Sequence, residues 1–121
     1  MEGVLSGQIC IVTGASRGIG LAIATRFKQE GAIVYGLSRT KAEADIEWIS
    51  CDVTDELSVE SAIDQILKKE NRIDILVNNA GITRDGLLMR MKTEDWEAVL
   101  NSNLRSAFFL SRAVSRIMLK Q

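Results

Sequence analysis

The sequence predicts an α/β fold, a doubly wound parallel sheet with strand order 3-2-1-4 and flanking helices. Three observations carry this prediction. Short apolar runs alternate with amphipathic stretches as strand, helix, strand, short link, strand, helix, strand, helix, which is how parallel strands joined by crossovers read. The run Ile73-Asp74-Ile75-Leu76-Val77 is nearly continuous in apolar residues, as a strand covered on both faces must be. The first apolar run, Ile9-Cys10-Ile11-Val12, passes through a glycine-rich turn directly into a helical segment at 21–27.

That turn, Thr13-Gly14-Ala15-Ser16-Arg17-Gly18-Ile19-Gly20, organises the chain. Glycines between a strand and a helix let the backbone turn tightly and approach a ligand without Cβ atoms in the way. The helix start that follows offers unpaired N–H groups and the positive end of a dipole, which suit a phosphate. The spacing is G-x-x-x-G-x-G and not the commoner G-x-G-x-x-G, so the glycines alone also fit a plain βα turn. The second strand is expected at 33–37, after a turn at Gly31, and the third at 47–51. Only about nine residues, 38–46, link them, too few for a full crossover helix.

Thr54 is expected to cap the next helix, with Asp55 and Glu56 in its first turn, where acids favour the dipole. Val59, Ala62, Ile63, Ile66 and Leu67 give that helix one apolar face. A last, continuous helix is expected from Thr93 as its cap, followed by Glu94 and Asp95. Its apolar stripe would comprise Trp96, Val99, Leu100, Leu104, Ala107, Phe108, Val114, Ile117 and Met118. Asn103 falls on the same stripe. A buried amide needs hydrogen-bond partners, so it is either a structural asparagine bonded to a neighbouring loop or a functional one.

Composition sets outer limits. The chain has 121 residues, 46% hydrophobic and 26% charged, with formal net charge -1. This fits one small domain with an adequate core and no basic surface for nucleic acid. No apolar run approaches the roughly 18 residues of a membrane span and no signal peptide is recognised, so a cytoplasmic protein is expected. There is no histidine, which excludes His-based triads and His metal sites; no metal is expected. Cys10 and Cys51 would lie about two strand spacings apart, roughly 9–10 Å. That is too far for a disulfide, and both read as reduced core residues.

In a doubly wound sheet, ligands sit beyond the C-terminal ends of the strands, where strand order reverses. Four such ends converge here: the glycine loop, Ser38-Arg39, Asp52-Val53, and Asn78-Asn79-Ala80-Gly81. An NAD site places an acid at the second end to bind the ribose 2′-hydroxyl. This chain has Ser38 and Arg39 there, with Arg17 inside the glycine loop. Two guanidinium groups suit a 2′-phosphate, which favours NADP over NAD; the alternative is a pair of solvated surface charges.

Together, T-G-A-S-R-G-I-G at 13–20, C-D-V at 51–53, N-N-A-G at 78–81 and N-S-N-L at 101–104 resemble the short-chain dehydrogenase/reductase family. The stretch from Gly81 to Lys92 is most similar to bacterial-type 3-oxoacyl-[acyl-carrier-protein] reductases. The resemblance covers essentially all of the chain. It implies the N-terminal part of a Rossmann-type fold that binds NADP(H). Gly14, Ala15, Ser16, Arg17, Gly18, Ile19 and Gly20 would cradle the pyrophosphate, with Ser16 and Arg17 near the 2′-phosphate. Arg39 would line the adenosine phosphate pocket, with Ser38 beside it among the cofactor-binding residues; Asp52 and Val53 would contact the adenine, and Asn79, Ala80 and Gly81 the adjacent ribose. Asn78 would tie the fourth strand to its neighbours. Asn103 matches the family's catalytic asparagine, which shapes its helix and holds a water in a proton relay. An acyl-carrier-protein-linked substrate, fatty acid biosynthesis and a homo-oligomer, a tetramer when full length, are also implied.

The family's reaction needs a serine and a Tyr-x-x-x-Lys pair beyond a fifth strand. The only tyrosine here, Tyr35, lies within a predicted strand, and Arg39 stands four residues later. The sequence therefore reads as a cofactor-binding portion, 1–121, truncated before those groups and inactive alone. A non-catalytic NADP-binding or regulatory subunit, and a reductase of another carbonyl substrate, are the alternatives.

Overall fold

The computed structural model describes residues 3–41, 43–82 and 84–121. Four parallel strands, β1 (Ile9–Thr13), β2 (Ile33–Ser38), β3 (Glu47–Ser50) and β4 (Ile75–Val77), form one sheet in the order β3-β2-β1-β4. The expected order 3-2-1-4 is thus the observed one. Two helices complete the first half, α1 (Gly18–Gln29) and α2 (Glu56–Glu70). After β4 come a 3₁₀ turn (Leu88–Arg90), α3 (Thr93–Leu100), a π turn (Asn101–Arg105) and α4 (Ser106–Met118). Among the described residues, no helix is long and apolar enough to cross a membrane.

β1 is buried along its whole length, and its side chains alternate between two core faces, as a strand's must. Ile9 and Ile11 pack with Tyr35, Ile63, Ile66 and Leu110 on the α2/α4 side. Cys10 and Val12 pack with Ala24 and Val34 on the α1 side. Each fully buried Ile or Val contributes about 1.5–3 kcal/mol, so β1 is the strand the fold can least lose. Cys10 and Cys51 are free and buried in opposite clusters. Burial first, then the Asp74 charge, pushes the Cys10 thiol up to about 11. Burial also raises the Cys51 thiol, against a lowering hydrogen bond from Ser58.

The strand ends differ from the sequence reading by one or two residues. β3 stops at Ser50 and leaves Cys51 outside it. β4 begins at Ile75, not Ile73: the backbone of Ile73 is taken up by Gln121, while Asp74 still reaches β1, its N–H donating to the Ile9 carbonyl at 2.9 Å. Gln121 clamps Ile73 through both backbone groups, with Ile73 N–H donating to Oε1 at 2.8 Å and Nε2 donating to the carbonyl at 3.0 Å. Asp74 Oδ2 accepts from Ile9 N–H at 2.8 Å.

Both expected threonine caps are corrected. Asp55, not Thr54, caps α2, accepting from Leu57 N–H at 3.2 Å, because the Thr54 hydroxyl donates to Asp52 Oδ1 at 2.7 Å. Thr93 is already the first residue of α3; Lys92 holds the extended cap position, and no side chain caps there.

The last helix is not uniform either. The π turn adds one residue to a turn, which rotates the following face by about 100°. Beyond it Ser106, Phe109, Leu110 and Val114 are buried, whereas Trp96, Leu104 and Phe108, expected on the stripe, are exposed. Phe108 instead lies under the Arg112 guanidinium, 4.7 Å from its ring centroid.

Candidate functional site: the cleft at the strand ends

The C-terminal ends of all four strands open on one cleft of about 390 Å³. Of the residues singled out in the sequence, Gly14, Ser16, Arg17, Gly18, Ile19, Ser38, Arg39, Asp52, Val53, Asn79, Ala80 and Gly81 line it. Ala15 and Gly20 do not. Ala15 is buried beneath the loop in the α1-side core. At Gly20 a Cβ would strike the Gly14 carbonyl and the Asn79 amide, so this glycine is required by close packing under the cleft. Gly14 is needed for a different reason, its left-handed backbone with φ of 64°.

The glycine loop delivers the chain to the start of α1 with no side-chain cap and no acid in the first turn. The first N–H groups of the helix and its positive end therefore remain for an external acceptor. Arg17 holds the cap position and is exposed. Among the described residues neither Arg17 nor Arg39 forms an ion pair. Uncapped amides with two guanidinium groups outside any ion pair among the described residues form a donor set for phosphate.

Two polar anchors hold this arrangement, and one escaped sequence reading. Thr13, buried at the end of β1, donates to the Val77 carbonyl at 3.4 Å and accepts from Asn79 N–H at 3.0 Å and Ala80 N–H at 2.9 Å. It ties the end of β1 to the turn after β4. A lone threonine ending an otherwise apolar strand was the only signal for it. Asn79 completes the tie, its Nδ2 donating to the Gly14 carbonyl at 3.2 Å. Asn78 Nδ2 donates to Ser111 Oγ at 3.0 Å and links the β4 end to α4.

At the third strand end, Asp52 Oδ1 accepts from the Thr54 hydroxyl and from Thr54 N–H at 3.0 Å. The Thr54 bonds, with a smaller contribution from the Arg39 charge, hold the Asp52 carboxyl below the ordinary aspartate value. At the second end, Ser38 Oγ donates to the Thr40 carbonyl at 2.5 Å and accepts from Trp48 Nε1 at 3.0 Å.

Asn103 stands apart from the cleft lining, although its neighbour Ser102 reaches it. It lies within the π turn and is exposed, not buried on an apolar stripe. Its Oδ1 accepts from Ile82 N–H at 2.9 Å, and its Nδ2 donates to the Ile82 carbonyl at 3.2 Å. Both ends of the amide thus grip the loop after Gly81. Any Cβ at Gly81 would lie 2.7 Å from Asn103 Oδ1. Tyr35 is also remote from this chemistry; it is buried, and its hydroxyl donates to Glu70 at 2.8 Å. Among the described residues no group of three or more Asp, Glu or Cys is placed to hold a metal ion.

Comparison with known proteins agrees with this geometry. A model of the short chain dehydrogenase family matches residues 8–121. The chain is 47% identical over 124 residues to the 3-oxoacyl-[acyl-carrier-protein] reductase FabG of Escherichia coli (strain K12), covering 95% of this chain and 51% of that protein. It is 41% identical to the FabG of Thermotoga maritima, covering 97% and 52%. The chain thus spans about half the length of the curated relatives it matches. Among solved structures, the ligand-free aldohexose dehydrogenase of Thermoplasma acidophilum superimposes with TM-score 0.94 at 38% identity, over 100% of this chain and 48% of that one. Fold, cleft and family match converge, and the chain belongs to the short-chain dehydrogenase family.

Proposed function

We propose that this chain is the cofactor-binding portion of an NADPH-dependent 3-oxoacyl-[acyl-carrier-protein] reductase of fatty acid biosynthesis. One observation carries the cofactor choice: Arg17 and Arg39 face the cleft without ion-pair partners among the described residues. A carboxylate at that strand end would accept from a ribose 2′-hydroxyl and repel a 2′-phosphate; guanidinium groups do the reverse. The uncapped start of α1 fits the pyrophosphate, and Asp52 and Val53, in the lining of the same cleft, are read as its adenine contacts. When bound, NADPH supplies a hydride to the 3-oxoacyl carbonyl. The chain's own share is to hold the dinucleotide and, through Asn103, to fix the loop at Ile82 beside it.

The substrate class rests on the resemblance of residues 81–92 and on the names of the relatives; it is a thioester carried by acyl carrier protein. The full-length enzyme would be a cytoplasmic homo-oligomer. Tyr35 is the only tyrosine and is committed to Glu70, so these 121 residues bind cofactor and do not reduce the carbonyl alone. Titration of the chain with NADPH and NADH, followed by nucleotide fluorescence, tests the cofactor reading. NADPH binds more tightly by at least about tenfold, the worth of one charge-assisted contact, and Arg39→Asp removes or reverses that preference. Equal affinities in the unsubstituted chain would sink the proposal.

A further inference from the structure

A hydroxyl has one proton to give, and that of Ser38 is given inward. Ser38 Oγ donates to the Thr40 carbonyl, while its accepting side takes the indole N–H of Trp48. Ser38 therefore has no donor left for a ligand anion. These bonds also bracket Arg39. Its predecessor is fixed by Trp48 and, through its backbone carbonyl, by Cys51 N–H at 3.1 Å; its successor is held by the Ser38 hydroxyl. Trp48 lies on β3, paired in register with Gly36 of β2, and is half-buried outside the cleft lining. Arg39 is exposed and lines the cleft.

We infer that Trp48 is a positioning residue for cofactor specificity, acting through the hydroxyl of Ser38 to hold the turn that aims Arg39 into the cleft. The indole N–H occupies the acceptor face of Ser38, so the hydroxyl proton points at Thr40 and closes the turn. Without the indole the hydroxyl rotates freely, the turn opens, and Arg39 spreads over more rotamers. The penalty falls on a ligand with a 2′-phosphate and spares one without it, because only the phosphate needs the guanidinium in one place. The inference rests on the NADPH reading above.

The test is Trp48→Phe, which keeps an aromatic ring and removes the N–H donor. With NADPH and NADH titrated against the 121-residue chain, NADPH affinity falls roughly three- to tenfold, the measure of one net hydrogen bond, and NADH affinity stays within about twofold. In an Arg39→Asp background the same substitution changes NADPH affinity no further, since the route through Arg39 is already closed. Ser38→Ala, which removes the same hydroxyl link while leaving the Trp48 ring in place, produces the same selective loss and carries the test should Trp48→Phe fail to fold. An equal loss for both nucleotides, or an additive loss on Arg39→Asp, overturns the inference. No NADPH preference in the unsubstituted chain defeats the cofactor reading itself; an intact preference insensitive to Trp48→Phe and to Ser38→Ala defeats only this inference.

Discussion

At the start of β1 the polar groups are paired, and in the cleft at its end Arg17 and Arg39 form no ion pair among the described residues. Ile9 N–H is held by Asp74, Asp74 by Arg72, and Ile73 by both ends of the Gln121 amide. Four residues on, Thr13 uses its hydroxyl to close the strand ends; beyond it lies an uncapped helix start, and Arg17 and Arg39 face the cleft with no ion pair among the described residues. The first arrangement stabilises; it saturates donors that burial would otherwise penalise. The second gains little stability from its charges, which stay exposed to water. Groups held in place but left unpaired are what a charged ligand requires. The same strand thus separates the staple of the fold from the candidate cofactor cleft.

The sharpest break in this comparison is predicted at Gly20. A valine there would drive its Cβ into the Gly14 carbonyl and the Asn79 amide, backbone and anchor atoms that cannot swing away. Gly20→Val should cost about 3 kcal/mol, the upper end for overpacking, and abolish dinucleotide binding. Thermal unfolding and nucleotide titration read the two effects separately. A variant that melts like the parent and still binds would show that the cleft floor tolerates movement and that the two ends are less distinct than their bonding suggests.

The gathering of residues at the cleft end is far more legible in the sequence than the stapled end, for a physical reason. Glycines, strand ends and the basic pair lie within short segments, and parallel alternation brings those segments together without any need to know side-chain detail. The staple depends on a bond between Gln121 and Ile73, 48 residues apart, which no local pattern announces. Competition between adjacent candidates was equally hidden. Thr54 and Asp55 are both good caps, and the choice fell to Asp55 because Asp52 had taken the threonine hydroxyl. The exposed positions of Leu104 and Phe108 were misread because a 3.6-residue period assumes a uniform helix, and the π turn at Asn101–Arg105 breaks it. That turn is also what carries Asn103 to Ile82, so the misread stretch and the functional candidate share one cause.

A smaller effect is expected at Asp74, and it has a pH signature. The hydrogen bonds from Arg72, together with that from Ile9 N–H, hold its carboxyl below the ordinary value of 3.8. A carboxyl whose folded pKa is depressed contributes stability that is complete above its unfolded pKa and is lost as pH falls through the folded one. Asp74→Ala should therefore cost about 1–3 kcal/mol at neutral pH, chiefly by leaving Ile9 N–H unpaired. It should also flatten the fall in stability below about pH 4, where Asp52 still contributes its own share in the same direction. Denaturant melts at a series of pH values measure both. The NADPH to NADH affinity ratio should stay unchanged, which keeps the staple apart from the cleft.

The smallest effect belongs to Gln121. Its amide makes two bonds to the Ile73 backbone, 2.8 and 3.0 Å long, but the residue is exposed and water can replace part of what an alanine removes. Gln121→Ala should cost about 1 kcal/mol, near the net worth of a single bond and not of two. Ile73 is fully buried, so the loss should appear as faster amide exchange at Ile73, with that at Ile11 in the middle of β1 little changed. A loss spread evenly over the sheet would mean that the staple holds β1 as firmly as it holds the start of β4. In that case the two ends of β1 would be mechanically one unit, and substitutions at Gln121 would reach the cleft.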